Sequence, residues 1–212
     1  MMSNENELES LLTSLREGDV DTRGRAIHAI GQLGSPEGMP ALRDVALSDP
    51  HAGHRHTALF WLGKHIGQAR SLFNEAICHA LKDPATRWHA AWNLMLIGGP
   101  NPEVVEPLIQ ALADNPTDSE LAMMLAALGK LRDARGVDTL VAYLQSPDAH
   151  KRGTAAQALG DLGSKRAIEP LTALLEDRAT AWKEDHGPEM SVAAIAKDAI
   201  KSIKAGGGRQ KK

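Results

Sequence analysis

Along this chain, apolar residues recur at spacings of three and four, and breaker-rich segments interrupt them at regular intervals. TRGRAIHAIGQLG gives way to HRHTALFWLGKHIG, then TRWHAAWNLMLIG, ELAMMLAALGKLR and KRGTAAQALGDLG. Each segment puts Ala, Leu, Ile or Met on one helical face and ends in Leu-Gly or its equivalent, the pattern of an amphipathic helix with a glycine stop. With the arginine as register mark, the segments align at Arg23, Arg55, Arg87, Leu121 and Arg152, in steps of 32, 32, 34 and 31 residues. A period of this length signals a helical solenoid, whose units bury their apolar faces by stacking on neighbours.

A second apolar pattern follows each of these helices after a glycine-containing loop: MPALRDVALSD, SLFNEAICHALKD, VVEPLIQALAD, GVDTLVAYLQSPD and AIEPLTALLEDR. Pro50, Pro84, Pro116 and Pro147 fall between units, where a missing amide proton costs little. Pro40, Pro107 and Pro170 fall in the opening turn of the second helix, which also tolerates proline. Asp19 or Asp21, Asp49, Asp83, Asp118 and Asp148 precede the arginine helices and are placed to cap them. The arginines are then free to bridge to a neighbouring unit's aspartate, giving an Asp/Arg ladder that Leu121 interrupts in the fourth unit.

These units predict one solenoid over 8–204, of about five repeats plus terminal capping helices at 8–18 and about 189–204. Residues 1–7 are polar and acidic and are expected to be disordered, and the glycine-rich basic tail 205–212 to be flexible. A chain of 212 residues would otherwise suggest one or two globular domains. Aromatics make up only 3% of it, so alanine and leucine, the best helix formers, must build the core. The fold class is therefore all-α.

The net charge of −3 gives no basic stripe, which argues against general nucleic-acid binding. Cys78 is the sole cysteine, so no internal disulfide framework exists; its spacing from Leu72, Ile77 and Leu81 makes it a small core residue. No apolar run approaches the roughly 18 residues that span a bilayer, and the polar, acidic opening MMSNENELES does not read as a signal peptide. The chain reads as cytoplasmic. The histidines of DPHAGHRHT, His51, His54 and His56, lack the cysteine or His-Glu-x-x-His partner that would complete a zinc set, so no metal site is assigned. No nucleophile elbow, phosphate-binding glycine loop or paired catalytic carboxylates on a shared helix face are present. The residues thus supply no catalytic centre of their own.

The units resemble HEAT repeats of the type found in phycobilisome-lyase-like proteins, whose pattern is D-x-x-V-R-x-x-A-A-x-A-L-G followed by A-V-x-P-L-x-x-A-L-x-D. KRGTAAQALGDLGSKRAIEPLTALLEDR, residues 151–178, and TRGRAIHAIGQLGSPEGMPALRDVALSD, residues 22–49, match it well, and the resemblance covers roughly 18–180. It implies a right-handed α-solenoid of HEAT-like helix pairs with the arginine helices on the concave side. For function it implies several things. Some members resemble lyase or isomerase subunits that handle open-chain tetrapyrroles on antenna proteins, many look like adaptors or assembly factors, and a remoter relative is a DNA glycosylase with a basic groove. Members that carry iron in a hydroxylase have His-Glu pairs in their repeats, and no such dipeptide occurs here.

Given that orientation, the positions one, two, five and nine residues after the register mark face a partner. They yield the candidate partner-binding residues Arg25, His28, His56, Phe60, Lys64, Trp88, His89, Trp92 and Met123. Phe60, Trp88 and Trp92 fall at positions the repeat does not need for packing, and are expected to form a central aromatic patch rimmed by His56, His89, Arg25 and Lys64. Such clusters anchor partners, and this one also suits a flat conjugated ligand with carboxylates. Trp61, on the other face of its helix, is expected in the core. The leading reading is a module that binds a protein partner through its concave face without a cofactor. The alternative is a subunit or relative of a bilin lyase, with an open-chain tetrapyrrole chromophore.

Overall fold

The computed structural model describes residues 4–182 and 189–206. The arginine helices are α2 (Val20–Leu33), α4 (Ala52–Lys64), α6 (Arg87–Ile97), α8 (Asp118–Leu131) and α10 (Ala149–Leu162). Each is followed by its partner: α3 (Met39–Ser48), α5 (Ile66–Ala80), α7 (Val105–Leu112), α9 (Gly136–Tyr143) and α11 (Ile168–Thr172). Helices α1 (Asn4–Glu17) and α12 (Val192–Lys204) flank them. This is an all-α solenoid of HEAT-like helix pairs. Among the described residues it also carries a short antiparallel ribbon ahead of α12, formed by β1 (Thr180–Trp182) and β2 (Met190–Ser191). Helix α1 begins at Asn4, so residues 4–7 are helical rather than disordered; the tail expected to be flexible at 205–212 lies outside the described residues beyond Gly206.

The chain divides into two compact units, 1–93 and 94–212, with the division inside α6. In the first, Ile27, Ile30, Leu42, Leu59, Leu62, Phe73 and Ile77 are buried to zero exposure, with Ala26, Ala58 and Ala76 between them. In the second, Val104, Leu108, Met124, Leu125, Leu140 and Leu159 do the same, and Leu121, standing in the arginine position, is buried among them. Alanine lets helices come close, and glycine lets them come closer. A Cβ on Gly129 of α8 would stand 2.6 Å from the carbonyl oxygen of Ala158 on α10. Glycine is required there by packing, not by backbone conformation.

The ladder is built as the spacing predicts, with a second tie at each arginine. Arg23 Nε donates to Asp49 at 3.0 Å, Arg55 Nη2 to Asp83 at 2.8 Å, and Arg152 Nε to Asp177 at 2.8 Å. The same guanidinium groups donate back to carbonyls five or six residues earlier: Gly18, Asp49 and Ser146. Arg87, buried, does likewise to Leu81 at 2.9 Å. Each aspartate in turn accepts a backbone N–H two residues on, from His51, Ala85 and Ala179. One arginine therefore closes a loop end and clips it to the next repeat. The caps of α4 and α8 differ from the expectation: α4 starts from His51 with no side-chain cap bond, Asp49 reaching only the His51 N–H, and α8 starts from the residue before its aspartate. Thr117, not Asp118, is the N-cap, in a reciprocal capping box with Glu120, and Asp118 pairs instead with Lys151 at 2.8 Å.

Among the described residues, no helix is long and apolar enough to cross a membrane.

Candidate functional site

Helices α4 and α6 bring four of the expected residues together within the first unit. His56 enters α4 one position after Arg55, and Trp88 and His89 enter α6 just after Arg87, so the repeat register places them side by side. The His56 and His89 rings stack with centroids 3.8 Å apart and planes 32° apart. Trp92 meets His56 edge-on at 6.4 Å, and Trp88 meets His89 edge-on at 5.2 Å. Trp88 and Trp92, one turn apart on α6, lie nearly parallel at 13°, with centroids 6.3 Å apart. All four are half-buried. They are packed against one another yet keep an open side, as an anchoring patch requires.

Phe60 joins a second cluster instead. Its ring meets Trp61 at 5.4 Å; His28 of α2 meets the same indole edge-on at 6.2 Å, His65 stacks on it at 6.2 Å, and the Lys64 ammonium sits 4.8 Å above it. Trp61 itself is only 7% exposed. It packs onto Gly31 of α2, where any Cβ would collide with the indole. Trp61 is thus a core residue, as its helix face predicts, and also the hub on which three candidate residues rest. Gly31 was the available signal: a glycine inside the α2 pattern marks a close approach by a large neighbour. Arg25 is exposed and donates to Thr22 at 3.1 Å. Met123, half-buried on α8, belongs to the second unit.

Burial determines the electrostatics of the stacked pair. Desolvation, followed by the proximity of His89, pushes His56 down to about 4, and desolvation also lowers His89. The Nδ1 atom of His89 is buried with no hydrogen-bond partner. Protonation there would create an N–H with no acceptor, so neutral His89 carries its proton on Nε2. Both rings are therefore uncharged at neutral pH. The expected positive rim is reduced to Arg25 and Lys64, and the patch offers aromatic faces and neutral polar edges.

His51, His54 and His65 have structural roles. His54, buried, bonds through Nδ1 to Asp49 at 3.1 Å, and the His51 ring packs on it at 4.6 Å. The ring of His65 bonds through Nε2 to the Gly31 carbonyl at 2.8 Å; a carbonyl only accepts, so that nitrogen carries the proton. Among the described residues, no group of three or more His, Cys, Asp or Glu could hold a metal ion.

Comparison with known proteins follows the same repeats. The model of the HEAT repeats family matches residues 8–72, 39–126 and 105–183. The phycocyanobilin lyase subunit alpha of a Picosynechococcus species is 37% identical over 135 residues, covering 64% of this chain and 41% of that protein. The subunit of the same name from Synechococcus elongatus is 34% identical over 122 residues, covering 53% of this chain and 40% of that protein. The chain thus spans about two fifths of the length of the curated relatives it matches. Among solved structures, human deoxyhypusine hydroxylase aligns over 95% of this chain and 97% of its own at 18% identity, with a TM-score of 0.46. The complex of CpcE and CpcF of phycocyanin lyase from Nostoc aligns over 92% of this chain and 94% of its own, also at 18%, with a TM-score of 0.39.

Proposed function

The chain belongs to the HEAT-repeat family, of the type found in phycobilisome-lyase-like proteins, and from that premise we propose that it serves as a subunit or relative of a bilin lyase. In this role it grips a protein partner on the face of its arginine helices and holds an open-chain tetrapyrrole against the patch on α4 and α6. One observation carries the reading: the face left free by the repeat pattern bears two nearly parallel indoles beside a stacked, neutral imidazole pair. A conjugated chromophore is wide, flat and mostly apolar, and flat aromatic walls are the surfaces that hold such a molecule. The two curated relatives support this reading over a plain adaptor, and their names, as subunits, fit a chain that works with a second protein.

The chain's own residues would bind and orient; the conjugated system itself would come with the ligand. His56 and His89 offer polar ring edges without charge, and Arg25 and Lys64 offer the positive charges that carboxylates need. Titration of the purified chain with phycocyanobilin tests the proposal. A saturable change in visible absorbance at micromolar protein is expected. A spectrum identical to that of the free bilin throughout would overturn it, and would leave partner binding alone as the use of this face.

A further inference from the structure

The second unit holds a recess at the register-equivalent face of α10. Gln157 and Asp161 of α10 stand five and nine residues after Arg152, as Phe60 and Lys64 stand after Arg55. Opposite them, α12 contributes Asp198 and Ser202, and Trp182 and Met190 close one end from the ribbon. The floor is apolar and buried, made by Gly160, Ile195 and Ala199. The cavity measures about 220 Å³. That is below the roughly 300–1,000 Å³ of small-molecule pockets, and on the scale of one inserted side chain.

Its charge selects the side chain. Asp161 already holds a cation, Lys130, at 3.0 Å, and both side chains stay partly exposed to solvent. Asp198, exposed on the facing helix, has no ion-pair partner among the described residues. Ser202 donates to the Gly160 carbonyl at 3.3 Å, which leaves its oxygen lone pairs able to accept. An indole, the Asp198 carboxylate, the Asp161 carboxylate shared with Lys130 and the Ser202 oxygen, around an apolar floor, complement a planar cation on an apolar stem. Guanidinium meets this description better than ammonium, because it stacks on an indole while donating from its edges.

We propose that the recess between α10 and α12 is an anchor pocket for an arginine side chain presented by a protein partner. The proposal stands apart from chromophore binding, since every residue it uses lies in the second unit. Arginine is among the residues that dominate interface energetics when they fill such a pocket.

The test is titration of the full chain with N-acetyl-arginine amide, followed at the Trp182 indole N–H by NMR, with the neutral isostere N-acetyl-citrulline amide alongside. Saturable shifts at Trp182 with the arginine compound, at least fivefold weaker with citrulline, are expected. Asp198→Asn should weaken binding at least fivefold while leaving the circular dichroism unchanged. Equal shifts with citrulline, no shift at Trp182, or full binding by Asp198→Asn would overturn the proposal. A variant with Arg209, Lys211 and Lys212 all changed to Gln that binds tenfold tighter would also overturn it, by assigning the pocket to the chain's own tail.

Discussion

At the scale of single residues, burial of His56 ties the stability of the fold to pH. His56 is held near 4 in the folded chain, below its ordinary value of about 6.5. The unfolded chain therefore binds more protons between those values, and stability must fall as pH drops from about 6.5 toward 4. His56→Gln should flatten the melting temperature over that window; an unchanged slope would show that His56 is not the group responsible. Below it the aspartates take over. Burial alone would raise Asp49, but donation from Arg23 and from the His51 N–H, with His54 beside it, holds it below the usual range. Its stabilising contribution is present above the ordinary carboxylate value and is lost as pH falls through the lowered one. Asp49→Asn should cost about 2–4 kcal/mol in denaturant unfolding, because it leaves Arg23 nearly buried without its partner. The ladder was readable in advance because both partners recur with the period. The double role of Trp61 was not, since the helix-face argument assigns it only a side and its contacts with His28, Phe60 and Lys64 come from an adjacent repeat and from its own turn.

At the scale of elements, close approach of the arginine helices is set by small residues. Gly129→Ala must move backbone on α10, since the atom it meets is the Ala158 carbonyl oxygen and not a flexible side-chain end. A loss of about 1–3 kcal/mol is expected from the resulting overpacking, read as a lowered denaturation midpoint. Gly67, which has open space around it, is the control: Gly67→Ala should leave the midpoint unchanged or raise it slightly. The helix pairs were legible because apolar spacing, glycine stops and prolines agreed. Two details were not. A threonine and an aspartate stand adjacent at the start of α8, and only the reach of Glu120 back to Thr117 decides between them. Strands of three and two residues, such as β1 and β2, are too short to carry an alternating pattern.

At the scale of the whole molecule, the period identifies the family because the residues that repeat are those that build the scaffold. For the same reason it says little of use: function has to be sought in the residues that depart from the period. Subtracting it isolated Trp88, Trp92, His56 and His89, which the fold does bring together, and Phe60, which it gives to Trp61 instead. The recess near Trp182 escaped the sequence because its walls come from α10, α12 and a ribbon outside the repeat. The central claim is that the α4 and α6 face holds a tetrapyrrole, and the most direct test compares phycocyanobilin binding, by visible absorbance, to the native chain and to Trp88→Ala/Trp92→Ala. At least tenfold weaker binding by the double variant, with an unchanged helical circular dichroism spectrum, is expected. Equal affinity of the two proteins would contradict that claim.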